Sequence, residues 1–228
     1  SLLSCFCTGL KIQFYDEKTK KTEQWYYEDG LKTYLQDSLA GRELLPEQVL
    51  VGHCSTSHEK ADWALAWQTD AVDIINESFV NLIPTSQGGT HVNGLRNGLL
   101  DAIKEFCDIH KLLPRGTKLV ADDVCSQCNF ILSVKIQDPQ FAGQTKERLS
   151  SRQCAAFVAG VIKDDFSLWL HNHVDIGTQI AQVTIDNAQQ RMRVSKKIAR
   201  KKITSGPALP GKLSDCTEQD LQYTELFL

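Results

Sequence analysis

Residues 78–110 read SFVNLIPTSQGGTHVNGLRNGLLDAIKEFCDIH, and two different periods follow one another within them. Ser78 to Ile83 is a short apolar run of strand type, stopped by Pro84, which has no N–H to continue a ladder. Gln87-Gly88-Gly89 is a loop, and Thr90 stands where a helix cap belongs. From there to about His110, Leu95, Leu99, Ala102, Ile103 and Phe106 recur at helical spacing. Asn93, Asn97, Asp101, Lys104 and Asp108 fall on the opposite face, with Arg96 at the edge between the two. A strand therefore feeds a long amphipathic helix through a glycine turn, the mark of a mixed fold.

Towards the N-terminus, Val49–Val51 and Trp63–Trp67 are again strand-like. Trp63, Leu65 and Trp67 alternate with Asp62, Ala64 and Ala66, which implies one aromatic face. Leu31 to Leu39 predicts a short helix closed by Gly41. Before it, a strand over Leu10–Tyr15, a polar turn at Asp16–Lys21 and a second strand beginning at Trp25–Tyr27 predict a hairpin. A hairpin alone is marginal in water, so this one should pack on something else.

Towards the C-terminus, Phe130–Ile136 predicts a strand, followed by the irregular Asp138–Gly143. Ser150 and Gln153 have capping-box spacing, and the helix they open carries Val158, Val161, Ile162, Phe166 and Trp169 on one side. A last long helix should run from about Asp175 to Lys202, before a linker marked by Ser205-Gly206-Pro207 and Pro210-Gly211. There is no internal repeat and no regular βαβ period. The pattern favours α+β, or a crossover α/β layer, over a doubly wound sheet.

A chain of 228 residues with 42% hydrophobic and 23% charged residues is of ordinary globular composition and can bury a substantial core. No apolar run approaches the ~18 residues of a membrane span. Residues 1–14 lack the marks of a signal peptide, so a cytoplasmic location and no membrane partner are expected. Eight cysteines spread from Cys5 to Cys216 are too sparse for a disulfide scaffold. Cys125 and Cys128 form half of a zinc-type spacing, but nothing in the sequence brings His171 and His173 to them. No metal site is expected.

The net charge of −3 conceals an asymmetry. Arg191, Arg193, Lys196, Lys197, Arg200, Lys201 and Lys202 follow one another with no acid between them. The remainder of the chain carries 18 basic against 28 acidic residues. An acidic body with one basic arm suggests a polyanionic partner met on one side, although a solvated helix end complementing the helix dipole has the same composition.

Gly143-Gln144-Thr145-Lys146 lies between a strand and a helix, and a lysine on such a loop is a mobile charge suited to a terminal phosphate. It is not a Walker A loop, which needs an adjacent Gly-Lys pair and another glycine upstream. Gly88-Gly89 before a helix start could cradle an anion, or simply make a tight turn. His91 has neither nucleophile nor acidic partner nearby in sequence and reads as a surface or cap histidine.

Several segments, taken in order, resemble a known family. Phe79–Thr85 (FVNLIPT), Gly88–His91, Asn93–Arg96, Asp138–Lys146 (DPQFAGQTK) and Thr204–Leu213 (TSGPALPGKL) resemble the transducer of type IIA DNA topoisomerase ATPase subunits. Thr224–Leu228 looks like the approach to a magnesium-binding Toprim domain, and Glu147–Arg152 resembles topoisomerase IV more than gyrase. The resemblance implies that residues 1–29 are the last strands of a GHKL ATP-binding domain, 30–203 a transducer and 204–228 a linker towards Toprim. It implies a four-stranded sheet backed by helices with a left-handed, ribosomal-protein-like βαβ crossover. That handedness is the reverse of the general rule.

The same resemblance implies roles. Lys146, as catalytic residue, and Gln144 would contact the γ-phosphate of ATP held by the GHKL domain. Arg96 would line the cavity through which a DNA duplex passes, and the basic arm from Arg191 to Lys202 would lie along DNA or a neighbouring domain. The implied partners are double-stranded DNA, the topoisomerase IV A subunit in a heterotetramer, and a second copy of the B subunit, at the bacterial nucleoid. The alternatives are a stand-alone nucleic-acid adapter and the gyrase B subunit. The GHKL glutamate–asparagine helix, adenine loop and glycine-rich lid are absent from these residues, as are the Toprim acids. ATP and Mg²⁺ would thus serve the whole subunit, and this piece would neither bind them tightly nor turn over ATP alone.

Overall fold

A computed structural model of the chain describes residues 3–7, 9–69 and 73–202, with the side chains of residues 3 and 196–202 left out. Six helices and seven strands follow in the order α1 (Leu3–Phe6), β1 (Ile12–Asp16), β2 (Lys21–Trp25), α2 (Leu31–Ser38), β3 (Leu44–Ser55), β4 (Glu59–Gln68), β5 (Asn76–Val80), β6 (Ile83–Pro84), α3 (Thr90–Ile109), α4 (Ala121–Cys125), β7 (Cys128–Ile136), α5 (Arg152–Asn172) and α6 (Val174–Lys202). Residues 1–189 form one compact unit and 190–228 another, so the basic end of α6 belongs to the second.

The main sheet has the order β3-β4-β7-β5-β6. It holds five strands rather than four, because Ile83–Pro84 returns beside Phe79–Val80 as a two-residue edge. Pro84 is tolerated there, since an edge position asks no ladder N–H of it. All pairings are antiparallel except β5 with β7, which run parallel and are joined through α3 and α4. The architecture is the α+β mixed sheet with helices that the element pattern predicted.

Both faces of the sheet are covered. Trp63, Leu65 and Trp67 of β4, with Phe130, Leu132 and Val134 of β7, face α3, α5 and the Ile180–Ala188 part of α6. The alternation at residues 62–67 thus gives the aromatic face expected. Ala64 and Ala66 are equally buried on the opposite face, against Leu31 and Leu35 of α2 and Leu39 just after it, together with Phe79 and Ile131. Cys5 joins this second core, and Phe6 meets Phe79 edge to face at 4.7 Å.

The stripe predicted on α3 is fully buried. On α5 the buried positions are Cys154, Val158, Ile162, Phe166 and Leu170, while Val161 and Trp169 stay half-buried at the edge. Two glycines bring these helices together. A Cβ on Gly94 would lie 2.5 Å from the carbonyl oxygen of Ala155, and one on Gly98 would lie 2.6 Å from that of Ala159.

Three local expectations are corrected. The second hairpin strand ends at Trp25 instead of beginning there, and the hairpin exposes Phe14 and Tyr15. Thr90 is the first helical residue rather than the cap, which is Gly89. Ser150 caps nothing. Helix α5 begins at Arg152, the Ser150 hydroxyl donates to the Gln140 carbonyl at 3.0 Å, and the Ser151 hydroxyl accepts the Gln140 N–H at 2.9 Å. At Ser150 a tertiary partner outcompeted the local cap, which spacing alone does not reveal. Residues 203–228, including the TSGPALPGKL and Thr224–Leu228 segments, lie outside the described residues.

Gly98→Val should lower unfolding free energy by ~3 kcal/mol or more, because branched atoms would be forced into the Ala159 backbone. Asn97→Ala, on the exposed face of the same helix, should stay within about 0.5 kcal/mol. Urea unfolding of the two variants side by side checks the difference, and equal losses would exclude the close helix approach.

Candidate functional site

The two glycine-bearing loops singled out in the sequence meet in space. Between β7 and α5 the chain crosses residues 137–151, and Leu149 in it is a buried strand-like residue in the core. On one side it runs parallel to the start of α3. Gln87 N–H donates to the Glu147 carbonyl (3.0 Å), Leu149 N–H to the Gly88 carbonyl (3.0 Å), and Thr90 N–H to the Leu149 carbonyl (3.0 Å). On its other side Leu149 lies antiparallel to Phe141, with Ala142 N–H donating to the Arg148 carbonyl and Ser150 N–H to the Gln140 carbonyl.

This close approach explains the double glycine. Gly89 has φ +133°, and a Cβ there would overlap the Leu149 backbone. The N–H groups of Gln87, Gly88 and Thr90 are taken by protein carbonyls. The turn is therefore a docking strip for the 147–149 segment, and the anion cradle is not what these glycines build.

Gln144, Thr145 and Lys146 form the exposed tip between the two docked flanks. Lys146 itself has φ +57°, a left-handed conformation that a non-glycine residue adopts at a cost, and Gly143 before it has φ +101°. Glu147 is half-buried beside it. Its carboxylate accepts Gln87 Nε2–H at 2.9 Å and the Thr145 hydroxyl at 3.3 Å.

Beneath the strip lies a small polar network. The Ser78 and Thr85 hydroxyls are 2.7 Å apart, and Thr85 Oγ1 is 3.1 Å from His91 Nε2. His91 is completely buried rather than a surface residue, and burial drops its pKa to about 4. Its Nδ1 and the Thr90 hydroxyl are buried without hydrogen-bond partners. Periodicity could have placed His91 inside, since it lies four residues before Leu95 on the buried stripe.

Arg96 sits one turn further along α3, half-buried and ion-paired with the exposed Asp122 of α4. The pair borders a recess of about 370 Å³ lined also by Gln87, Gly88, Thr85 and Ser126. Arg96 is thereby close to the docking strip, which the sequence alone could not place. Of the basic arm, Arg191 is half-buried and Arg193 exposed; Lys196, Lys197, Arg200, Lys201 and Lys202 lie on α6, with their side chains outside the described set. The arm falls in the second unit, whereas Arg96 and Lys146 belong to the first.

A recess of about 910 Å³ between β3 and α5 bears Glu43, Glu47 and Asp165 and no lysine or arginine. It is unsuited to a phosphate. Cys125 and Cys128 are buried thiols, the first pushed up to about 11 and the second well above the ordinary value by burial. Among the described residues no three His, Cys, Asp or Glu side chains gather as a metal site, and no helix is long and apolar enough to cross a membrane.

Residues 30–200 match the family model described as DNA gyrase B. The chain belongs to this family, the B subunits of type IIA topoisomerases. The DNA topoisomerase 4 B subunit of Salmonella typhimurium strain LT2 is 58% identical over 222 residues, covering 97% of this chain and 35% of its own. The chain thus spans about a third of the length of the curated relatives it matches. Among solved structures, the topoisomerase IV ATP-binding domain of Francisella tularensis superposes with a TM-score of 0.72 at 38% identity, over 84% of this chain and 52% of that one. The 43K ATPase domain of Thermus thermophilus gyrase B gives 0.74 at 22% identity, over 88% and 54%, a likeness of fold. In this chain the Gly88-Gly89-Thr90 turn docks the 147–149 segment, which directly follows the Gln144–Lys146 tip.

The buried His91 makes stability pH-dependent in a stated direction. In the unfolded chain the imidazole protonates near the ordinary 6.5, in the fold only near 4. The unfolded state takes up the proton first, so the contribution is whole above the unfolded value and is lost as pH falls from about 6.5 towards 4. The loss should reach about 3 kcal/mol. Urea unfolding at pH 7.5 and 4.5 should show a shallower pH slope for His91→Gln than for the parent chain. Equal slopes would mean that His91 is not the group responsible.

Proposed function

We propose that this chain is the transducer part of a topoisomerase IV B subunit, converting the state of ATP in a neighbouring domain into a movement that governs DNA passage. Residues 1–29 then end the GHKL ATP-binding domain, 30–203 make the transducer, and 204–228 lead towards Toprim. The βαβ crossover from β5 to β7 is taken as left-handed on the family pattern.

The observation that carries this reading is the placement of Lys146. It stands on an exposed tip, in a constrained left-handed conformation, while the residues on both sides are bonded into the body. An ammonium presented that way can meet an anionic group brought by another domain, with little freedom lost on contact. Phosphoryl transfer depends chiefly on positioning and charge stabilisation, and a lysine reaching the γ-phosphate from a second domain senses whether ATP is intact. Gln144 supplies a neutral donor beside it. Mg²⁺ and adenine would be held by the GHKL domain, to which these residues add only the terminal contact.

The docking strip gives that contact somewhere to go. A pull on Lys146 passes through Glu147 and Leu149 to the first turn of α3, and so to Arg96 and to the helices packed on the sheet. In this reading Arg96 and the arm from Arg191 to Lys202 meet DNA, the protein pairs with a second copy of itself and with the topoisomerase IV A subunit, and the assembly works in the bacterial cytoplasm at the nucleoid. The name of the relatives, which are B subunits of DNA topoisomerase 4, supports these assignments.

In the full protein that carries this chain, Lys146→Ala should lower ATP turnover ~10²-fold or more, the scale of losing one preorganised charge. Nucleotide affinity should weaken far less, because the adenine pocket lies elsewhere. Unchanged turnover would remove Lys146 from the mechanism.

For DNA, Arg96→Gln and the combined change of Arg200, Lys201 and Lys202 to Gln should lower DNA-stimulated turnover more than basal turnover. The loss should deepen with salt, each phosphate contact adding ~0.9 to the slope of log affinity against log salt. A parallel fall in both rates, independent of salt, would place the defect in folding or closure and refute the DNA role.

A further inference from the structure

Glu147 follows the proposed phosphate-sensing lysine and is the residue through which the exposed tip is fastened. Its main-chain carbonyl accepts the Gln87 N–H at 3.0 Å, and its carboxylate accepts the Gln87 side-chain N–H at 2.9 Å. One residue is thus gripped twice by another across the strip. The same carboxylate oxygen takes the Thr145 hydroxyl at 3.3 Å, which turns the tip back on its own base.

The backbone explains why such a fastening is needed. Lys146 at φ +57° sits in a region that L-residues leave unless neighbours hold them there. Main-chain bonds fix residues 147–149 and 140–142, but the bonds that reach into 144–146 from the body pass through the Glu147 carboxylate. Released from it, Thr145 and Lys146 could relax towards ordinary conformations, and the ammonium would swing away. Charge alone does not explain an acid here. A carboxylate beside a cation meant for a phosphate weakens the local positive potential, so its place is better accounted for by geometry.

We propose that Glu147 is a positioning residue for Lys146, and that Gln87 at the start of α3 is its anchor. Together they set the direction of the ammonium and tie it mechanically to α3. The inference rests on the reading of Lys146 given above, and the test separates the two.

The experiment is a set of ATPase measurements on the full-length protein in its complete heterotetramer: Lys146→Ala, Glu147→Ala, Gln87→Ala, Glu147→Gln and the double variants. Glu147→Ala should lower kcat about ten- to a hundredfold with little change in KM for ATP, the cost of misplacing a catalytic group by about an ångström. Gln87→Ala should do the same, and the Gln87→Ala/Glu147→Ala pair should be no worse than either alone. Glu147→Gln keeps an acceptor oxygen for both donors and should restore most of the rate. In the Lys146→Ala background, adding Glu147→Ala should cost nothing further, because the group being positioned is gone.

If Lys146→Ala is harmless, the phosphate-sensing reading itself fails. If Lys146→Ala is crippling but Glu147→Ala is harmless, or multiplies fully with it, Glu147 does not act through Lys146 and the present inference is overturned. A general loss of folding would appear as lowered thermal stability and as a defect in every background, which also counts against it.

Discussion

The arrangement depends on one backbone contact, the seating of Leu149 between the Gly88–Thr90 turn and the Gln140–Ala142 segment. It is possible only because Gly89 lacks a side chain at φ +133°. Peptide groups there satisfy one another directly, in a buried position where unpaired ones would be costly. The consequence is mechanical. A fifteen-residue connection that would otherwise wander over the surface is held at its middle, and only the 143–146 tip is left to project.

Beneath this contact, polar groups are buried more freely than a scaffold alone requires. Thr85 bridges Ser78 on the sheet and His91 on the helix, while His91 Nδ1 and the Thr90 hydroxyl go without partners. Such groups oppose folding unless packing over-determines them, and the neighbouring α3–α5 interface supplies that packing through Gly94 and Gly98. The closely packed α3–α5 pair thus adjoins the Gly89 turn. The Arg96–Asp122 pair joins α3 to α4 at the surface.

The elements with strong periodicity were legible in the sequence. The α3 stripe from Leu95 to Phe106, the alternation over 62–67 and the helix over 31–39 follow from side-chain spacing, and the structure has them where expected. Short elements were not legible. Helix α4 has five residues, held by the Asp123 carboxylate on Val120 N–H and by the Trp67 indole donating to the Val124 carbonyl. Trp67 lies 57 positions away from its partner, and no local pattern reveals such a bond. Ser150 misled for the converse reason: its local signal was sound, but Gln140 offered a better partner.

By itself, the sequence determined the mixed α+β class, the covered aromatic face of the sheet and the order of motifs by which the family is recognised, because periodicity and motif order are properties of the chain as written. It also placed Gln144 and Lys146 on a loop between a strand and a helix. Only the tertiary structure decided that this loop is docked on the double-glycine turn, that His91 is buried, that Arg96 is ion-paired with Asp122, and that Gln87 and Glu147 meet across 60 positions of sequence. Each of these is a contact between segments distant along the chain. Their free energy comes from close packing and paired peptide groups, and these exist only once the sheet and its helices have brought the segments together.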